Sequence, residues 1–135
     1  MSYLNIHKAL TKSVIDLYLG LPIANENKDF DAEVEGGNEY ISINVLYDEQ
    51  NTVTKTDLDD VEGFLQITHF VKSDSSVSAM YGLIDTLNSA YPHARKILSG
   101  SQVVNVQNIE VNKRGNVSGW YVTDFTIYFW ADISR

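Results

Sequence analysis

Three histidines, two sets of closely spaced carboxylates and one Gly-Gly pair are the groups whose types and spacing invite a chemical reading. An imidazole becomes a useful base when a hydroxyl or thiol stands beside it and a third group orients it. His7 falls in a predicted helix, His69 in a predicted strand and His93 directly after Pro92, and no recognisable catalytic motif surrounds any of them. His69 therefore reads as a packing residue of a strand, since a lone histidine among apolar neighbours is more often core than catalyst. No HExxH pattern or paired ligand spacing is present, so a histidine-built metal centre is not expected. Cysteine is absent, which removes disulfides, thiolate metal sites and a cysteine nucleophile together.

The acidic run Asp57, Asp59, Asp60 and Glu62 offers hard oxygen ligands. It lacks the mid-loop glycine and the ligand spacing of a calcium loop, and it reads as a solvated loop. Its other use would be to meet cations, or a magnesium ion, across a subunit boundary. Asp29, Asp31, Glu33 and Glu35 alternate, but paired catalytic carboxylates need a cleft that drives their pKa values apart, and nothing in the sequence builds one. Gly36-Gly37 is a turn signal, because no dinucleotide or phosphate-loop pattern surrounds it. The inventory predicts a protein that is not an enzyme and carries no cofactor.

The elements that would position these groups are legible from periodicity. Ile6, Leu10, Val14 and Leu17 form one apolar stripe and predict a helix from about Ser2 to Leu19, stopped by Gly20 and Pro22. Residues 21–30 read as a loop with a short extended piece. Tyr40 to Tyr47 alternates as a half-buried strand, and the polar stretch 48–60 reads as a mobile excursion before the next one. Gly63 to Val71 has apolar groups on both faces, as in a central strand: Phe64 and Phe70 on one, Leu65, Ile67, His69 and Val71 on the other. Val77, Met80, Ile84, Leu87 and Tyr91 predict a second helix, capped from Asp74-Ser75-Ser76 and closed by Pro92. Val103 to Val111 is a weaker strand, Lys113-Arg114-Gly115-Asn116 reads as a hairpin turn, and Gly119 to Ala131 is the strongest strand signal.

The expected fold is therefore α+β: one domain over residues 1–135, with two main helices and a mixed or antiparallel sheet of four or five strands in the order α-β-β-α-β-β. A chain of 135 residues with 44% hydrophobic composition can bury a core of its own. If both helices share one sheet face, the aromatic-rich face opposite needs another cover, and a partner subunit is a reasonable one. A net charge of −8, from 18 acidic against 10 basic side chains, repels phosphate backbones, so direct nucleic-acid binding is not expected. No apolar run spans a bilayer.

The sequence also resembles a known family. Leu19-Gly20-Leu21-Pro22-Ile23-Ala24, followed by Glu26-Asn27 and Phe30, is similar to a recurrent stretch of small phage tail proteins, with Asn25 where a tryptophan usually stands. Tyr40-Ile41-Ser42-Ile43, Gly63-Phe64-Leu65-Gln66-Ile67, the helix Ala79 to Tyr91, and Gly119-Trp120-Tyr121 through Thr126-Ile127-Tyr128 to Ala131-Asp132 extend the likeness in order along nearly the whole chain. The set resembles the tail terminator (tail completion) family, of which the phage lambda protein is the familiar member.

That resemblance implies a virion structural protein, assembled in the host cytoplasm, that forms a ring, usually a hexamer. The ring caps the tail tube and ends its polymerisation. Its partners would be other copies of itself, the major tail tube protein and a head–tail connector protein. In the lambda-like case magnesium aids assembly, and no metal site carries over to particular residues here. Asp48, Lys55, Asp57, Asp59 and Asp60 are the candidate subunit-interface residues, since loops on a rigid scaffold commonly carry binding. The alternatives are a head–tail connector or neck protein, and a small-molecule-binding domain with its pocket on the aromatic sheet face.

Overall fold

In the computed structural model, residues 3–17, 21–24, 39–47, 51–52, 58–72, 78–99, 102–117 and 119–134 are described. The helices are α1, Tyr3–Ile15, and α2, Ser78–Ala90. The strands are β1, Ile23–Ala24; β2, Glu39–Tyr47; β3, Asn51–Thr52; β4, Leu58–Lys72; β5, Lys96–Ser99; β6, Gln102–Val117; and β7, Trp120–Ser134. Along the sheet they run β1-β2-β4-β7-β6-β5, with β3 attached to β4. Every pairing is antiparallel except β1 with β2.

The protein is thus α+β, with the two helices on a predominantly antiparallel sheet. The four long strands follow the expected order, and β1 falls where a short extended piece was expected within residues 21–30; the short strands β3 and β5 are additional. Strands of two to four residues carry too few side chains to show a period, so they escape a reading by alternation. The polar excursion expected over 48–60 is partly strand: Asn51 pairs with Asp60 and Thr52 with Asp59. Polar residues enter a ladder there because the hydrogen bonds are made by backbone, and burial is not required of them.

A second correction concerns the hairpin. Lys113 to Asn116 lies inside β6, and the strand continues to Val117. The register with β7 shifts between Lys113 and Gly115, and Gly115 takes a φ of 78°. Arg114 is the extra residue of a β-bulge, for which a left-handed glycine is well suited. The chain reverses instead near Gly119, φ 86°, whose N–H donates to Asn116 Oδ1 at 3.2 Å.

One core lies between the helices and the sheet. Ile6, Leu10 and Val14 of α1 meet Ile41, Ile43, Leu65, Ile67, Phe125, Ile127 and Phe129 from every second position of β2, β4 and β7. The α1 stripe is the one expected. In α2 Leu83 and Leu87 are buried, as is Tyr91 just beyond it; Leu87 and Tyr91 belong to the expected stripe, while Leu83 goes inward where Met80 and Ile84 were expected to. Ile84 packs only at the margin of the core. The two helices are joined where Ser13 Oγ and Tyr91 Oη share a hydrogen bond of 2.7 Å, while Ser13 Oγ also lies 2.6 Å from the Leu10 carbonyl. Burial pushes the Tyr91 phenol above its ordinary pKa.

Candidate assembly surface

Both helices contribute to the single core on one side of the sheet, so the opposite face is built from the alternate side chains of β2, β4 and β7. It has three zones. At the hairpin end Tyr40 stacks on Phe70 with centroids 4.5 Å apart, and Trp120 meets Tyr40 edge-on at 5.2 Å. The three come together because β2, β4 and β7 are adjacent and in register at Tyr40, Phe70 and Val122. Lys72 sits with its Nζ 4.6 Å over the Trp120 ring. Burial also raises the Tyr40 phenol pKa.

The middle zone is polar. Thr68 Oγ1 donates to Asp124 Oδ1 at 2.8 Å, and Arg114 Nε donates to Asp124 Oδ2 at 2.8 Å. Thr68 and Asp124 face each other across β4 and β7, and the bulge in β6 brings Arg114 to the same carboxylate. The third zone is apolar again: Phe64 and Tyr128 lie 5.9 Å apart, with Leu46 and Trp130 exposed beside them. Tyr128 Oη donates to Glu110 Oε2 at 3.2 Å. Two aromatic groups flanking an internally neutralised ion pair suit adhesion to another protein surface, where aromatic residues with satisfied polar neighbours give area at low conformational cost.

On the helix side, His69 is fully buried, with Nε2 2.6 Å from Glu39 Oε2. Burial lowers its pKa below 6.5, and the hydrogen bond and charge of Glu39 act against that shift. A neutral ring donating from Nε2 leaves Nδ1 as a bare acceptor, and Nδ1 is buried without a hydrogen-bond partner. His69 was visible in the sequence as a strand residue; Glu39 as its partner was not. Glu39 pairs with Val71 while Ile41 pairs with His69, so their contact is diagonal and follows only from the register. His7 is half-buried on α1, and exposed His93 has Nδ1 2.6 Å from the Gln107 carbonyl. No cluster of three metal-ligating side chains occurs among the described residues.

Of the five interface residues expected from the sequence, Asp48, Lys55 and Asp57 lie outside the described residues. Asp59 and Asp60 have their backbone in β4, between β3 and β7. The aromatic face was anticipated as a face needing cover, but the bulge-borne Arg114–Asp124 pair was not, because Arg114 was assigned to a turn.

No protein-family model matches the chain, and no curated protein matches it. Solved structures do match. One of them superimposes with a TM-score of 0.79 at 15% sequence identity, over 100% of this chain and 99% of the other. At that identity the likeness speaks for the fold alone.

Proposed function

We propose that this chain is the subunit of a phage tail terminator: a structural virion protein that caps the tail tube, ends its polymerisation and presents the head-joining surface as an oligomeric ring. The observation that carries the assembly part is the sheet face opposite the two described helices, with Leu46 and Trp130 exposed and Phe64 and Tyr128 beside them. A face of this kind calls for a protein partner, because large apolar patches are uncommon on surfaces that work alone. The named role rests on the ordered sequence resemblance from Leu19 to Asp132. In this reading the partners are other copies of the chain, the major tail tube protein and a head–tail connector protein. No catalytic step is assigned, and magnesium would serve only as an assembly aid. Asp48, Lys55, Asp57, Asp59 and Asp60 remain the residues proposed to meet a neighbouring subunit.

The test is tube length. Polymerising tail tube protein in the presence of this protein should give tubes of limited length with the protein at one end, seen by electron microscopy. Tubes of unchanged length distribution at a saturating excess would rule the terminator role out.

A further inference from the structure

β5, Lys96–Ser99, ends the sheet: it pairs with β6 on one side and with no other strand among the described residues. Val106 N–H donates to the Arg95 carbonyl at 2.8 Å, and the register then runs unbroken from Lys96 opposite Asn105 to Ser99 opposite Gln102. Hydrogen-bonded positions alternate in an antiparallel ladder. Ile97 and Ser99 therefore bond to β6, while Lys96 and Leu98 turn their N–H and C=O groups outward. None of these four groups has a hydrogen-bond partner among the described residues. Backbone groups left in this way are a template for a further strand. Proteins blunt such edges by keeping them short and charged, and a four-residue strand carrying Lys96 is blunted in part. Leu98 works against that protection: at 63% it is the most exposed large apolar side chain of the described residues.

The surroundings of this edge are cationic. A cleft of about 220 Å³ between α1 and β5 is lined by Lys12, Arg95 and Lys96, with Asp16 as its one acidic side chain. Asp16 is taken by Lys12 at 2.9 Å, whereas Arg95 and Lys96 have no carboxylate partner among the described residues. Arg95 is held from behind: Nη1 donates to the Ala90 carbonyl, and Cζ lies 5.3 Å from the Tyr91 ring centroid. Its position is thus set before any ligand arrives. An adjoining hollow adds Lys8 and the 51% exposed Ile15 beside Ser99. On a chain of net charge −8 this rim is a local reversal of sign, and it selects an acidic partner.

We infer that the outer edge of β5 takes an extended acidic segment of a partner protein as an added strand. A carboxylate of that segment meets Arg95 or Lys96, and an apolar side chain of it lies against Leu98. Main-chain hydrogen bonds to residues 96 and 98 supply the pairing, and the alternate side chains supply the selection. The β5 edge of a second copy is disfavoured as occupant, because that pairing would bring two cationic rims together. The inference goes beyond the assembly reading, which uses the outer sheet face.

Peptide binding tests it. The probe is a short fluorescein-labelled peptide of alternating glutamate and valine, followed by fluorescence anisotropy with the full chain in low salt. Its controls are the lysine–valine counterpart and the same glutamate–valine peptide N-methylated along its backbone. The probe should bind at least about tenfold tighter than either control, and K96E/L98S should lose at least about tenfold of that affinity. On saturation, NMR should show the Lys96 and Leu98 amide hydrogens exchanging more slowly with solvent, since an added strand bonds them. No binding at millimolar probe overturns the inference. Equal binding of the methylated peptide, or unchanged exchange at Lys96 and Leu98, overturns strand addition. Equal binding of the lysine–valine peptide overturns the acidic partner, and undiminished binding by K96E/L98S overturns the site. Circular dichroism verifies that the variant folds; if it does not, the exchange measurement on the unmodified protein decides alone. Self-association of the unmodified protein that the probe competes away would make a second copy the occupant and overturn the partner segment.

Discussion

At the residue scale, His69 and Gly63 carry the sharpest consequences. His69 is buried, and its folded-state pKa is lowered below 6.5 chiefly by desolvation. The unfolded chain therefore takes up the proton more readily than the folded one. Its contribution to stability is complete above pH 6.5 and is lost as pH falls through 6.5 towards the lowered folded pKa. Urea unfolding between pH 7.5 and 5 should show falling stability, by no more than about 1.4 kcal/mol per pH unit from this one proton. In His69→Gln that part of the slope should vanish; an unchanged slope would assign it to other groups. Gly63 has a different reason to be itself: a Cβ there would sit 2.2 Å from the Leu46 carbonyl oxygen and 3.1 Å from Phe129 Cζ. Tyr47 and Phe129 meet edge-on at 6.1 Å beside it. Gly63→Ala should cost about 1–3 kcal/mol, the range for forced overpacking, read as a lowered urea midpoint.

At the element scale, the long strands do the organising. β4 is paired along its whole length with β7, and β6 follows β7 through a bulge that turns Arg114 onto Asp124. The helices are held to this frame by apolar stripes and to each other by the Ser13–Tyr91 bond. Tyr91→Phe removes that bond but leaves Ser13 Oγ on the Leu10 carbonyl, so a loss of about 1 kcal/mol is expected by chemical denaturation. The stripe of α1 was readable because Ile6, Leu10 and Val14 all turn inward. That of α2 was readable at Leu87 and Tyr91 but not in the first half of the helix, since Met80, Leu83 and Ile84 fit two adjacent lines and packing chose Leu83. Lys113 to Asn116 has turn composition, yet cross-strand pairing with β7 kept it extended and reduced Gly115 to a bulge. Local preference lost to the ladder there.

At the scale of the whole molecule, the features that matter for assembly are relations between distant parts. Because the helices share one face, the other is left with its aromatic zones at Tyr40–Phe70–Trp120 and Phe64–Tyr128–Trp130. The strand order sets β1 and β5 at opposite edges of the sheet. Trp130→Ser on that outer face should therefore weaken self-association while leaving the unfolding midpoint of the monomeric state nearly unchanged, because an exposed ring offers apolar area to a neighbour and little to the core. Sedimentation velocity at several protein concentrations measures the first effect and urea melts at low protein concentration the second.

The amino-acid sequence alone determined the mixed α+β class, the α1 stripe, the central position of Gly63 to Val71 and the faces of its side chains, because each is written in a local period of 3.6 or 2. It also determined the lack of cysteine chemistry and the net charge. Only the tertiary structure decided the partner of His69, the Arg114–Asp124 pair and the gathering of Lys12, Arg95 and Lys96 around the cleft between α1 and β5. These depend on register, on a bulge and on which edge a four-residue strand joins. Such choices are made by the free energy of the whole sheet and core, and no local window of sequence contains them.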